Sequence, residues 1–293
     1  MKEQHKIAWI GAGKMGLPIC KRLKSAGHMV TVLARMPAKA EALSSLGLGC
    51  ANSIAETIRD ADVVFTSVTD DKALTDVVME SGFTSAIAPH AVFVDISTVS
   101  PTVSAQIAAQ LPTANAYLRS PVSGSTGMAE AGTLTALVSG PRPAFDAMTE
   151  VFTAFTRKAF HLGEAEEARY LKLAINSMVA ATSALLGEAL AFGLKGGLSH
   201  AAMLEVITQS AVASPLIGYK KDMIVSGDYT PAATLDMLRK DLDLLLSAAE
   251  VQGTPLPVNA GIKQIYDAAS ARGLGQKDFF VLVQEAETAA TSK

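Results

Sequence analysis

The spacing of apolar and polar positions changes about halfway along the chain. In the first half, compact apolar runs alternate with helical patterns, as is typical of strands buried on both faces of a sheet. The runs predict strands over 6–10, 28–34, 62–68, 91–97, 115–118, 134–138 and 158–161. The intervening patterns predict helices over 15–26, 37–46, 71–79 and 101–111. Such alternation predicts a parallel sheet with right-handed crossovers.

The second half contains helical patterns and no convincing run of period two. They predict helices over 164–194, 199–210, 235–252, 257–271 and 278–290. Breaks rich in glycine or proline, such as 195–197 and 254–257, separate most of them. The chain therefore reads as an α/β domain over 1–163, followed by an all-α domain over 164–293 that begins with a long helix between the two domains.

From residue 173 onward this long helix is unusually apolar. Residues 173–194 are long enough to cross a membrane, but they include Glu188 and several other polar side chains, which are costly in a bilayer. We favour a buried helix covered by other helices, including helices of a second subunit. The sequence thus predicts a homodimer or homotetramer and no membrane insertion.

Composition and charge narrow the function classes. The chain is 49% hydrophobic and 18% charged, which is typical of a compact globular protein. Its formal net charge is −3 without a block of like charges, so we expect no nucleic-acid partner. Cys20 and Cys50 form no disulfide framework, the five histidines have no metal-ligand spacing, and the N-terminal residues do not resemble a signal peptide. We expect a cytoplasmic protein without a metal.

A glycine-rich loop follows the first predicted strand and begins a helix. Its residues are Gly11, Ala12, Gly13, Lys14, Met15 and Gly16, and they match G-x-G-x-x-G. In that context the first glycine permits the tight turn, the second lets a pyrophosphate approach the backbone, and the third permits close packing of helix on strand. This predicts a Rossmann-type dinucleotide-binding domain rather than an ordinary glycine turn.

The end of the second strand bears on the choice of cofactor. An acidic residue there would accept hydrogen bonds from a ribose 2′-hydroxyl, but residues 33–37 contain no acid. Arg35 could instead form a forked contact with a 2′-phosphate, and Lys39 could add charge one turn later. The sequence therefore favours NADP(H), with NAD(H) left open.

Three further segments carry candidate chemistry. Residues 95–101 (DISTVSP) end a strand, where ligands bind in open α/β sheets. Residues 121–127 (PVSGSTG) offer hydroxyl and backbone N–H groups that suit a carboxylate. Lys172 and Asn176 are four residues apart, so both project from one face of the long helix. Together, a lysine and a carboxamide could bind a hydroxyl and a carboxylate.

These motifs, in this order, resemble the β-hydroxyacid dehydrogenase family over almost the whole chain. The matching segments are GAGKMGLP (11–18), DISTVSP (95–101), SPVSGSTGMAEAGTL (120–134), GEAEEARYLKLAINS (163–177) and RKDL (239–242). The resemblance implies that Lys172 is the catalytic lysine. It implies substrate contacts at the positions of Ser123, Gly124, Asn176, Thr98, Lys240 and Asp241. Thr98 and Lys240 are also expected near the cofactor, and Val68 and Thr69 stand where the family has leucine-proline beside the adenosine.

One departure from the family pattern concerns the substrate. The family often has an acidic residue in the segment before Pro-Val-Ser-Gly, whereas this chain has Arg119 and Ser120 there. A cation near the substrate loop leaves the identity of the substrate open more than it does the reaction.

The resemblance implies hydride transfer between a nicotinamide and a small β-hydroxyacid, or an aldehydic or keto acid, with Lys172 as the general acid or base. Two alternatives stay open. Imine reductases share the architecture but usually have Asp or Tyr at the position of Lys172. A non-enzymatic NADP-binding interaction protein would have less need of Lys172, Asn176, Ser123 and Thr98 together.

Overall fold

The computed structural model describes residues 4–79 and 82–291 and consists of two compact units, Met1–Lys172 and Leu173–Lys293. The first unit extends past residue 163 because side chains of the following segment bind its strands, as described below. The domain limits predicted from the sequence, 1–163 and 164–293, stay a prediction.

A six-stranded sheet organises the first unit. Its strands are β1 (Lys6–Ile10), β2 (Met29–Leu33), β3 (Gly49–Ala51), β4 (Val63–Thr66), β5 (Val92–Asp95) and β6 (Tyr117–Arg119). All neighbours are parallel, in the order β3-β2-β1-β4-β5-β6, which confirms the predicted parallel sheet and Rossmann-type architecture. The order reverses direction between β1 and β4, and ligands bind at the carboxyl ends of strands at such a switch point.

Both faces of this sheet are buried, as its apolar strands predict. Along β1, Ile7 and Trp9 belong to one hydrophobic core, whereas Ala8 and Ile10 belong to a second core on the opposite face. Successive strand side chains point to opposite faces, so a strand covered on both sides is apolar throughout. The helices of this unit are α1 (Gly16–Ser25), α2 (Pro37–Ser45), α3 (Ile54–Ile58), α4 (Asp71–Met79), α5 (Phe83–Ala86), α6 (Pro101–Gln110), α7 (Thr126–Ala131) and α8 (Arg142–Thr153).

A second, three-stranded sheet follows β6. It comprises β7 (Val122–Ser123), β8 (Leu134–Val138) and β9 (Thr156–His161), with β7 antiparallel and β9 parallel to β8. The predicted strands over 134–138 and 158–161 therefore lie in this sheet and not in the large one. Pro121 lies between β6 and β7 and has no N–H to donate to a neighbouring strand, so β6 does not continue into β7 as one strand.

The second unit is helical over its described residues, which confirms the all-α prediction. The long helix α9 (Glu167–Lys195) enters it from the first unit, and its remaining helices are α10 (His200–Ile207), α11 (Pro215–Ser226), α12 (Leu235–Gln252), α13 (Pro257–Ala269) and α14 (Leu282–Thr291). A π-helical turn (Ser270–Leu274) and a 3₁₀ turn (Phe279–Val281) precede α14. The sequence reading missed α11, which Ser214 caps by accepting a hydrogen bond from the Ile217 N–H.

The helices of the second unit cover only part of α9. Leu186 and Leu190 are buried in its core, but Met178, Leu185 and Phe192 are 71%, 68% and 84% exposed. By length and composition α9 could also cross a membrane, and 39% of its most apolar window is buried. The exposed side chains recur every seven residues, so they form an apolar stripe along one face of the helix.

Candidate active site and cofactor site

The glycine loop has the geometry that a dinucleotide pyrophosphate requires. Gly11 has a φ of +97°, and a Cβ atom there would collide with the carbonyl oxygen of Ser67. A Cβ atom on Gly16 would lie 2.7 Å from Nε1 of Trp9, so only glycine lets α1 pack this closely on β1. Gly13 is exposed, with open space where its side chain would be. The residues present therefore fit a phosphate at the N-terminus of α1.

Three loops meet at the switch point of the sheet. The Ser67 N–H after β4 donates to the Ile10 carbonyl of β1 at 2.9 Å. The Val68 N–H donates to Oγ of Ser97, after β5, also at 2.9 Å. The structure thus brings together the glycine loop, Val68 and the loop of half-buried Thr98. Thr69 is exposed, and its hydroxyl donates to the Asp70 carboxylate.

The two basic residues predicted to select NADP(H), Arg35 and Lys39, lie in the segment that follows β2. Arg35 follows the buried Ala34 and is exposed, and Lys39 is exposed in the first turn of α2. No acidic residue occurs between β2 and Lys39. The charged residues of the segment 34–39 are therefore all basic. Within the glycine loop, Lys14 is exposed, Ala12 is buried and Met15 is half-buried.

Asp95, at the carboxyl end of β5, organises the loop that carries Thr98. Its side chain is fully buried. Oδ1 accepts hydrogen bonds from the hydroxyls of Thr66 and Ser97, both at 2.6 Å. Oδ2 accepts a bond from Arg169 Nη2 at 2.5 Å. A buried carboxylate that is paired and multiply hydrogen-bonded holds its neighbours in one arrangement.

Arg169 connects α9 to this loop. Besides the ion pair with Asp95, its Nη1 donates to the carbonyl of Ser97 at 2.7 Å. Burial opposes its charged form and is the largest single effect on its pKa, but the attraction of Asp95 and Tyr117 and the hydrogen bonds to both together outweigh it, so the pKa of Arg169 is raised overall. Lys172 lies three residues later on α9 and is half-buried. The turn that carries Lys172 is therefore fixed to the carboxyl end of β5.

Arg119, the cation at the position of the family's acidic residue, forms an ion pair inside the first unit. Instead of a free cation near the substrate loop, it is a buried residue whose Nη2 lies 2.7 Å from Oε1 of Glu166. Its guanidinium also lies over the ring of Tyr117, 4.4 Å from the centroid. Arg119 thus forms its ion pair with a residue of its own unit, which favours a structural role over the binding of an anionic substrate group.

Ser123 and Gly124 lie where β7 ends. The Ser123 hydroxyl is half-buried and has no hydrogen-bond partner in the described part of the chain. Gly124 has a φ of +139°, and an added Cβ would lie 2.7 Å from Leu134 Cδ2. Ser125 uses its own hydroxyl to cap α7, accepting from the Met128 N–H. Of the two serines, Ser123 therefore has the hydroxyl that can bind a ligand.

Within the second unit, the structure brings together Asn176, Lys240 and Asp241. Asn176 Nδ2 donates to Asp241 Oδ2 at 2.6 Å. Lys240 Nζ lies 2.9 Å from Asp241 Oδ1, an ion-pair distance, although this buried oxygen accepts no well-aligned hydrogen bond from any described residue. The carboxylate of Asp241 therefore fixes the orientation of the Asn176 amide.

Sequence reasoning missed the roles of Asp95 and Arg169. Asp95 ends an otherwise apolar strand, and an acid in such a position needs a buried partner. The sequence therefore signals a buried partner for Asp95 but does not identify it. Arg169 stands in a charged segment, GEAEEARYLK, where an arginine is usually a solvated helix residue. Only the fold shows which of the two arginines nearby, Arg119 or Arg169, reaches Asp95.

Comparisons with known proteins agree with this arrangement. Residues 6–163 match the model of the NAD binding domain of 6-phosphogluconate dehydrogenase. Residues 167–285 match the model described as NAD-binding of NADP-dependent 3-hydroxyisobutyrate dehydrogenase.

Individual relatives extend over nearly the whole chain. The 2-(hydroxymethyl)glutarate dehydrogenase of Eubacterium barkeri is 32% identical, over 97% of this chain and 95% of that protein. The chloroplastic glyoxylate/succinic semialdehyde reductase 2 of Arabidopsis thaliana is 30% identical, over 98% and 80%. The structure of Mycobacterium tuberculosis 3-hydroxyisobutyrate dehydrogenase with L-serine is 25% identical with a TM-score of 0.88, over 97% and 99%. The chain therefore belongs to the β-hydroxyacid dehydrogenase family and is an NAD(P)-binding oxidoreductase that acts on hydroxyl groups.

Proposed function

We propose that this protein is an NADP-dependent reductase of small aldehydic or keto acids, which also oxidises the corresponding β-hydroxyacids, with Lys172 as general acid and base. One observation carries the proposal. Arg169 ties the helical turn of Lys172 to the loop of Thr98, and Val68, bonded to that loop, connects it with the glycine loop. A lysine held at this edge of the sheet lies on the side where the cofactor binds.

The proton step assigns a separate role to each group. The bound nicotinamide supplies or accepts the hydride. In reduction, the Lys172 ammonium donates a proton to the substrate oxygen, and in oxidation the neutral amine takes the hydroxyl proton. Asp95 and Arg169 form a closed ion pair, so neither offers a competing acid or base to the substrate. Over residues 4–79 and 82–291, no histidine or other base is hydrogen-bonded to the Ser123 hydroxyl, which argues against a hydrolase.

Substrate choice rests on a carboxylate. We assign its recognition to the Ser123 hydroxyl, the backbone at Gly124 and the Asn176 amide, with Asp241 orienting that amide. Thr98 and Lys240 are assigned to the substrate and the nicotinamide end of the cofactor. The names of the relatives support this class, because 2-(hydroxymethyl)glutarate, glyoxylate, succinic semialdehyde and L-serine each combine a carboxylate with a hydroxyl or carbonyl.

The proposed preference for NADP(H) rests on the segment that follows the carboxyl end of β2. Arg35 and Lys39 are both exposed there, and the segment 34–39 includes no acidic residue that would repel a 2′-phosphate. A guanidinium binds such a phosphate through two parallel hydrogen bonds. We therefore assign NADP(H) as the preferred cofactor, with weaker use of NAD(H).

We further propose that the protein is a cytoplasmic homodimer or homotetramer. The apolar stripe on α9 comprises Met178, Leu185 and Phe192, and a face with three such side chains is unusual on a monomer. A second copy of the same helix would bury it through a two-fold interface. Covering the stripe in this way removes the need for a lipid environment.

A substrate panel tests the proposed reaction. Purified protein is mixed with NADPH and either small aldehydic acids or cyclic imines of similar size, and oxidation of the cofactor is followed by absorbance. We expect turnover with the acids, faster with NADPH than with NADH, and little with the imines. Turnover confined to the imines would support an imine reductase instead, and binding of NADPH without turnover of any substrate would support a non-enzymatic protein.

A further inference from the structure

A completely buried arginine lies one helical turn before the proposed catalytic lysine. Arg169 has 1% of its surface exposed, and four of its contacts reach four separate parts of the first unit. They are Asp95 at the end of β5, the Ser97 carbonyl in the following loop, the Ser104 hydroxyl of α6 and the Tyr117 hydroxyl of β6. An arginine with so many partners fixes both the position and the rotation of its own helix.

Stability alone does not explain this choice of residue. Taking a guanidinium and a carboxylate out of water is costly, and apolar side chains of similar volume often serve a core equally well. The rigid fork of arginine adds what an apolar residue cannot, because its five N–H donors have fixed directions. The pair Arg169–Asp95 is therefore suited to holding a geometry.

Lys172 is the residue that this geometry controls. Residues three apart on a helix are neighbours on its surface, so a rotation of α9 at Arg169 moves Lys172 by a similar amount. The same segment is held a second time, since Glu166 pairs with Arg119 just before α9 begins. The Ser97 carbonyl that Arg169 binds adjoins Thr98. Helix and loop are thus fixed to each other at the site.

We propose that Arg169 is a positioning residue that sets the place of the Lys172 amine relative to the loop of Thr98. This role rests on the function proposed above for Lys172. It requires no contact between Arg169 and the substrate or cofactor, and its effect on turnover passes entirely through Lys172.

A double-mutant cycle tests the proposal. Arg169→Lys keeps a positive charge but cannot reproduce the forked contacts, and it is made in the wild-type protein and in Lys172→Ala. In the wild type we expect kcat to fall by about 10- to 100-fold, the loss that follows from a misplaced catalytic group, with NADPH affinity nearly unchanged by fluorescence titration. In Lys172→Ala the same change should lower the residual kcat by less than about twofold, since the group being positioned is gone.

A matched control separates positioning from stability. The ion pair Lys220–Asp278 is equally buried, at 3% and 0% exposure with a 2.6 Å contact, but it belongs to the second unit. Lys220→Met should lower the melting temperature and leave kcat of the folded protein unchanged in both backgrounds. If Arg169→Lys does not fold, Tyr117→Phe removes a single hydroxyl that Arg169 donates to and should show a smaller loss of the same kind.

The outcomes distinguish the two proposals. A Lys172→Ala protein with most of its turnover overturns the function proposed for Lys172. If Lys172→Ala is inactive as expected, but Arg169→Lys lowers kcat by the same factor in both backgrounds, the effect does not pass through Lys172 and the positioning role is wrong. An Arg169→Lys protein with wild-type kcat also overturns it.

Discussion

Replacing Arg119 by methionine tests whether its charge serves the fold or the substrate. The wild-type side chains of Arg119 and Glu166 are only 9% and 12% exposed, and their charged atoms lie 2.7 Å apart. Removing one partner of a buried pair leaves the other charge uncompensated, which typically costs about 3–5 kcal/mol. Since Oε2 of Glu166 is buried and accepts no hydrogen bond from the described residues, the wild-type pair is not fully compensated. We therefore expect the lower end, about 3 kcal/mol.

Thermal unfolding and steady-state kinetics measure the two possibilities separately. For a unit of this size, about 3 kcal/mol corresponds to a fall in melting temperature of about 6–12 °C. The KM for the best acid substrate should change by less than about twofold at a temperature where the variant is folded, because a residue outside the binding site makes no uniform binding contribution.

The double variant Arg119→Met with Glu166→Met is the control. Both charges are then absent, so most of the lost stability should return. A single variant that melts like the wild type but has a KM raised tenfold or more would refute this reasoning. It would show that Arg119 leaves Glu166 to bind the carboxylate of the substrate.

Three further predictions concern the cofactor, the assembly and the substrate. Arg35→Ala should weaken NADPH binding by up to a few kcal/mol and NADH binding far less. The control is Arg157→Ala, since Arg157 is an exposed arginine on β9, and it should change neither affinity. Equal losses for both cofactors in titration would contradict NADP selection. Leu185→Asp should shift the mass measured by light scattering from an oligomer toward a monomer, and a wild-type protein that is monomeric at micromolar concentration would contradict the proposed interface. Asn176→Ala should mainly raise KM for the acid, and a fall in kcat alone would argue against carboxylate binding.

The sequence was sufficient for the parts of the fold that depend on local patterns. Apolar runs such as 62–68 gave strands because a strand buried on both faces has little freedom in composition. The glycine loop was recognisable because no other residue fits the positions of Gly11 and Gly16. The short strand β3 was missed, since its three residues, Gly49–Ala51, are too few to show a period.

The site was harder to predict, because it depends on pairs that lie far apart in the chain. Arg169 and Asp95 are separated by 74 residues, and Arg119 and Glu166 by 47. No local pattern shows that these charges are buried, because each of them alone is more often solvated. The resemblance to the family identified Lys172 but gave no role to Arg169, whose importance follows from its burial and its partners.

Turnover and cofactor affinity of Lys172→Ala test the central claim most directly. Lys195→Ala is the control, because Lys195 is an exposed lysine at the other end of the same helix. With the best substrate of the panel, we expect kcat of Lys172→Ala to fall by about 10²–10⁴-fold with NADPH affinity nearly unchanged, and Lys195→Ala to behave as the wild type. Lys172→Arg should not restore turnover, since a guanidinium does not release its proton. A Lys172→Ala protein that keeps most of its turnover would contradict the account, because another group or a water molecule would then handle the proton.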